Sequence, residues 1–141
     1  MRRVLVDTGP LVAILSRHDE YHETCVRVLR EMPGPLLSCW PVITEAAWLL
    51  RSSARVVQQL LQSIDGGFLE LLPLAGSEAD AIAAIMKRYE DIQPQPQLAD
   101  AALVYLAGRE EIETIFTLDQ RDFSIYRSAK KRSFRIVPDL E

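Results

Sequence analysis

The chain is poor in the residues that most often carry zinc, disulfides or a nucleic-acid coat. Its 141 residues include two cysteines and two histidines, and the formal net charge is −4. Cys25 and Cys39 form no C-x-x-C pair and no zinc-like spacing with His18 or His22. Both are expected as reduced thiols, Cys25 on a helix and Cys39 near a strand end. A negative sum disfavours a general nucleic-acid coat protein, whose nonspecific affinity for phosphate needs a basic surface. A nuclease survives that argument, because carboxylates gathered to hold cations make the sum negative by themselves. No apolar run reaches the roughly 18 residues that span a bilayer. The stretch after the two N-terminal arginines is cut at once by Asp7, Gly9 and Pro10. That pattern argues against a signal peptide, and a cytoplasmic location is expected. Internal repeats and low-complexity tracts are also missing.

What remains is the composition of an ordinary globular protein, 48% hydrophobic and 26% charged. The length suits one domain over residues 1–141, with room for a real core. The organising stretch is Val4-Leu5-Val6-Asp7-Thr8-Gly9-Pro10. Apolar groups on both faces of this strand predict a central, parallel-sheet position, with Gly9 supplying the turn and Pro10 opening a helix. Asp7 then falls at the carboxyl end of a buried strand, the edge where open α/β sheets bind ligands.

Leu11, Ile14 and Leu15 mark a short helix ending near Ser16-Arg17, and a second helix runs from about Glu20 to Met32. The cluster from His18 to Glu23 reads as a solvated helix start, with acids near the positive end of the dipole. Pro33-Gly34-Pro35 is a turn, Leu36 to Cys39 a strand, and Pro41 opens a third helix. On that helix Val42, Glu45, Ala46 and Leu49 share one face, so Glu45 is an acid inside an apolar stripe.

Arg51 to Ile64 reads as a helix stopped by Gly66-Gly67, and Phe68 to Leu72 as a strand. Ser77 to Asp80 has capping-box spacing before a helix carrying Ala81, Ile82, Ile85, Met86 and Tyr89. After a short Gln/Pro loop at 93–97, the helix from Leu98 to Ala107 is apolar except for Asp100. Glu113 to Leu118 is a strand ending in Asp119, as the first strand ends in Asp7. Gln120 to Phe123 reads as a turn, Lys130-Lys131-Arg132 as a basic run and Phe134 to Val137 as the last strand. Strands alternating with helices predict a parallel α/β sheet with right-handed crossovers.

Four acids therefore stand out: Asp7 and Asp119 at strand ends, Glu45 and Asp100 on apolar helix faces. Each has a plain account. Asp7 could cap the following helix, Asp119 could start a turn, Asp100 could favour a first helical turn, and Glu45 could reach Arg51 or Arg55. Gathered in one pocket they would repel one another and tend to take up protons. A divalent cation reverses that problem, and hard oxygen ligands favour Mg²⁺ or Mn²⁺ over zinc.

Leu5-Val6-Asp7-Thr8, Thr44-Glu45, Leu98-Ala99-Asp100-Ala101 and Thr117 to Phe123 together resemble the PIN-domain family, and more narrowly the VapC-type toxins of bacterial toxin–antitoxin pairs. The likeness covers nearly the whole chain, in order. It implies a PIN-like fold, a central parallel β-sheet flanked by α-helices in three layers. It implies Mg²⁺- or Mn²⁺-dependent RNA cleavage, with Asp7, Glu45, Asp100 and Asp119 as metal-binding acids. Thr8 and Thr117 match polar positions beside two of those acids. An antitoxin protein and a homodimer are the implied partners, with no membrane.

Two departures stand out. Many relatives carry an acid where this chain has Gln97, and Asp122 competes with Asp119 as the fourth acid. Arg51, Arg55, Arg121 and the basic run are candidate phosphate contacts. Two other functions fit parts of the pattern. A phosphatase could use Asp7 as nucleophile, although haloacid-dehalogenase-type enzymes want an acid where Gly9 stands. A degenerate domain could keep the fold and act as a binding or scaffold module.

Overall fold

The computed structural model describes residues 3–128 and 132–140. Its centre is one five-stranded sheet of β1 (Val4–Val6), β2 (Leu36–Ser38), β3 (Leu69–Leu71), β4 (Thr114–Phe116) and β5 (Arg135–Val137). The spatial order is β3-β2-β1-β4-β5 and every neighbouring pair is parallel. In register, Leu5 stands beside Leu37 on one side and Ile115 on the other. β1, β2 and β4 are buried throughout, as their two-faced apolar runs require. The edge strands expose Glu70 and Arg135, charges that blunt the pairing capacity of an open edge.

Among the described residues, seven α-helices cover this sheet: α1 (Thr8–Leu15), α2 (His22–Arg30), α3 (Trp40–Leu49), α4 (Ala54–Asp65), α5 (Ala79–Arg88), α6 (Leu98–Glu110) and α7 (Gln120–Ile125). The result is the expected three-layer α/β/α arrangement. From β1 the chain winds outward to β2 and β3, then returns through α5 and α6 to lay β4 on the other side of β1. The winding direction therefore reverses between β1 and β4, the crevice where open α/β sheets take ligands. Leu5, Val6, Leu103, Leu106, Ile115 and Phe116 fill the core around that point, each at 1% exposure or less.

Several local expectations change. Thr8 already opens α1, with Asp7 as its N-cap, so Gly9 and Pro10 sit inside the first turn rather than before it. Proline is tolerated there because first-turn N–H groups have no helical partner. α4 begins three residues later than expected, where the Ser53 hydroxyl accepts the Val56 N–H at 3.3 Å. It ends at Gly66, and Gly67 turns the chain with φ +79°, a region glycine enters at no steric cost.

The capping box expected from Ser77 and Asp80 is replaced by Glu78, which accepts the Ala75 N–H at 2.8 Å. The same carboxylate takes Arg109 of α6 at 2.7 Å and the Tyr105 hydroxyl, so tertiary partners select the cap. The expected turn from Gln120 to Phe123 is helical, because Asp119 caps it through the Asp122 N–H at 3.4 Å. Near the second helix, Asp19 accepts the Tyr21 N–H at 2.8 Å and the His22 ring nitrogen Nδ1 meets Ala13 O at 2.7 Å. Asp19 thus serves the approach to α2, while His22 ties the start of α2 to α1. Cys25 and Cys39 are free, buried thiols, each pushed up to about 11 by burial. No helix among the described residues is long and apolar enough to cross a membrane.

Candidate active site

Asp7 leaves β1 at the winding reversal and is 6% exposed. Its backbone N–H continues the ladder to Phe116 O at 2.9 Å, so the strand itself aims the side chain. Oδ1 accepts the Thr8 N–H at 2.8 Å, and Oδ2 accepts the Thr117 hydroxyl at 2.8 Å. Burial nevertheless pushes the Asp7 carboxyl up to about 6. The two hydrogen bonds oppose that shift, while Glu45 and Asp119 reinforce it by repulsion.

Asp100 reaches the same place from the first turn of α6. One oxygen has only a long contact to the Gln97 N–H, at 3.4 Å. Burial, then the negative charges of Asp7, Asp119 and Glu45, push its carboxyl up to about 7 against that weak bond. Glu45 arrives on α3, where the expected apolar stripe rolls outward. Val42 and Ala46 are wholly buried, whereas Leu49 is 55% exposed and lines the pocket beside Glu45.

Asp119 stands beyond β4 at the open side, its N–H bonded to the Thr117 hydroxyl at 3.0 Å. Its carboxyl is raised above the ordinary range, first by burial and then by neighbouring Asp122. Asp122 is the more enclosed of the two, at 5% exposure.

All five acids line one cavity of about 410 Å³. Thr8, Gly9, Leu49 and Leu118 complete one part of its wall, and Pro94, Gln95 and Gln97 of the 93–97 loop another. Gln97 thus occupies the wall where an additional acid was looked for. Gln95, Pro94 and Leu118 carried no signal in the sequence, since loop residues and a strand-end leucine have no chemistry that marks them as a lining.

No set of three or more His, Cys, Asp or Glu side chains among the described residues is already drawn into a metal-holding cage. The acids instead surround an open cavity. Their chemistry fits a hard divalent cation: oxygen donors only, with two carboxyls, Asp7 and Asp100, whose ionisation suffers from burial and from neighbouring carboxylates. The Thr8 hydroxyl is buried without a hydrogen-bond partner, a further oxygen left over at this wall.

Among the described residues, the candidate phosphate-binding cations Arg51, Arg55, Arg121 and Arg132 do not line the cavity. Arg51 lies 3.8 Å over the Trp48 ring and bonds Trp48 O at 2.9 Å. Arg121 holds Gln93 O at 3.0 Å, and Arg132 pairs with Glu113 at 3.0 Å. Arg55 is exposed on α4, while Lys130 and Lys131 lie outside the described residues. A second groove of about 650 Å³ adjoins the acids, sharing Glu45 and Gln97 and walled by Trp40, Trp48 and Leu98.

Comparison with known proteins agrees with this fold. A curated relative, the ribonuclease VapC26 of Mycobacterium tuberculosis, is 29% identical over 137 residues, covering 96% of this chain and all of that protein. The crystal structure of Mycobacterium tuberculosis VapC20, described as a toxin cleaving the sarcin-ricin loop, superposes with a TM-score of 0.72 at 15% identity. That match spans 79% of this chain and 86% of the other. The sequence model of the PIN domain matches residues 4–130, and the chain belongs to the PIN domain family.

Proposed function

We propose that this protein is a divalent-cation-dependent ribonuclease, the toxin of a toxin–antitoxin pair, and that it cuts RNA phosphodiester bonds endonucleolytically. The carrying observation is the convergence of Asp7, Glu45, Asp100, Asp119 and Asp122 on one cavity at the winding reversal of the sheet. Asp7, Glu45, Asp100 and Asp119 would hold Mg²⁺ or Mn²⁺, with Asp122 beside them. When bound, such an ion supplies positive charge to the acids and the phosphate, and acidity to a water.

The remaining work falls to the chain's own groups. Thr117 and the Thr8 N–H fix both oxygens of Asp7. Gln95 and Gln97 line the cavity and carry side-chain amides, a donor chemistry suited to phosphate oxygens. Asp119, exposed at the cavity, would orient an incoming water. The family relationship and the relative named as a ribonuclease support RNA as substrate.

An antitoxin protein and a second copy of this chain are the proposed partners, and the cytoplasm is the proposed place of work. Trp40, Trp48, Leu49 and Leu98 are each more than half exposed beside the acids, an apolar patch that supports self-association.

The test is cleavage of RNA with Mg²⁺ or Mn²⁺, compared with EDTA and with Asp7→Asn and Asp100→Asn variants. Loss in all three is expected. Cleavage that survives chelation and both substitutions would overturn the mechanism. Absence of any Mn²⁺-linked rise in melting temperature at millimolar metal would instead favour a binding module, since a ligand of the native state must stabilise it.

A further inference from the structure

α5 packs against α6, and the two helices flank a cleft of about 490 Å³ that shares no lining residue with the acid cavity. On α5 its wall is Ala81, Ala84, Ile85 and Arg88, spaced i, i+3, i+4 and i+7 on one face. On α6 it includes Val104 and Gly108, about one turn apart. Ala81 and Ala84 are exposed, and side chains that short let a second backbone come near.

The charge of this cleft is opposite to that of the acid cavity. Its described lining holds three arginines, Arg88, Arg109 and Arg127, and no acid. Arg109 is neutralised by Glu78 at 2.7 Å and Glu110 at 2.9 Å. Arg127 donates instead to the carbonyl oxygens of Ser124, Ile125 and Tyr126, at 2.6, 3.0 and 2.9 Å. Those acceptors carry no formal charge, so its positive charge remains. Arg88 is exposed, and among the described residues neither it nor Arg127 pairs with a carboxylate. In a chain of net charge −4, two such guanidiniums beside an apolar floor complement an anionic partner.

The floor decides between the two anionic classes. Single-stranded RNA is held by stacking on open aromatic faces as well as by phosphate contacts. Tyr105 is the one aromatic side chain among the described lining residues; it is half-buried, and its hydroxyl is spent on Glu78. Ile85, Val104 and the two alanines offer instead the close apolar contact that an amphipathic segment seeks in a groove. Guanidinium forks match carboxylates bidentately.

We propose that the cleft between α5 and α6 is a docking site for an acidic amphipathic segment of a protein partner. Its apolar side chains enter between the helices, and its carboxylates reach Arg88 and Arg127. Such docking requires no metal in the acid cavity.

Fluorescence anisotropy of labelled probes in EDTA tests it. One probe is a short synthetic helix with leucines on one face and glutamates on the other. A second carries lysines in place of the glutamates, and a third is oligouridylate. The glutamate peptide should bind saturably, and the lysine peptide should not. Arg88→Glu, an exposed change that breaks no described hydrogen bond or ion pair, should weaken the glutamate peptide about 10-fold. Ala84→Glu should weaken it as well, and amide resonances of α5 and α6 should shift on peptide addition. No saturable binding, unchanged affinity in either variant, or shifts confined to other elements would overturn the assignment. Oligouridylate that shifts α5 and α6 and displaces the peptide would also overturn it, giving the cleft to RNA. A wild-type chain that binds the peptide but cuts no RNA would sink the nuclease reading and leave this one standing.

Discussion

Thr117 donates its hydroxyl to Asp7 Oδ2 at 2.8 Å from 110 positions away in the sequence. The Thr117 hydroxyl oxygen in turn accepts the Asp119 N–H at 3.0 Å. One small side chain at the end of β4 thus ties the first acid to the last. Thr117→Val keeps the shape and removes both bonds, leaving a buried carboxylate short of a donor. A stability loss of about 1–3 kcal/mol at pH 7 is expected by urea denaturation. Thr117→Ser should recover most of it.

Asp7→Asn separates stability from function. The amide can keep accepting the Thr8 N–H and can donate to Thr117, while the buried negative charge disappears. The metal-free variant should be more stable than the native chain at pH 8, by roughly 1–3 kcal/mol, and should lack RNA cleavage. Denaturation midpoints without metal check the first part. A destabilised variant would mean that the charge is compensated by groups other than a cation.

The pH dependence follows from the same acids. Asp7 is raised from 3.8 to about 6 and Asp100 from 3.8 to about 7, so the native state binds more protons than the unfolded chain across that window. Stability of the metal-free protein must then fall as pH rises from about 4 to about 7. Asp7 alone contributes on the order of 3 kcal/mol to this fall, and Asp100 acts in the same direction. Melting temperatures at pH 5 and pH 8 should show it, and millimolar Mn²⁺ should reverse it at pH 8.

Thr8→Val replaces an unmet hydroxyl with a methyl group of similar size. Metal-free stability is expected to be unchanged or higher, by up to about 1 kcal/mol. A drop in Mn²⁺-linked stabilisation would place the hydroxyl at the loaded site. Thermal shift with and without metal reads both effects.

Much of this site was legible in the sequence for a physical reason. A strand apolar on both faces must be central, so an acid at its carboxyl end has one place to go. That argument locates Asp7 and Asp119. Asp100 was conspicuous because a nearly uniform apolar helix leaves little reason for an acid. Periodicity could not separate core from cavity wall, and Leu49 and Leu98 therefore read as core although both are more than half exposed. The α7 helix was hidden because Asp119 and Asp122 carry the chemistry of a turn and of a helix cap alike.

Calorimetric titration of Mn²⁺ into the metal-free chain at pH 7, in buffers of different ionisation enthalpy, addresses the electrostatic claim most directly. Saturable binding with release of a fraction of a proton is expected, because Asp100 and Asp7 must surrender protons to the ion, and Asp100→Asn should weaken binding and reduce the release. Binding that is absent, or that Asp7→Asn and Asp100→Asn leave untouched, would contradict a cavity whose acids are gathered to hold a cation.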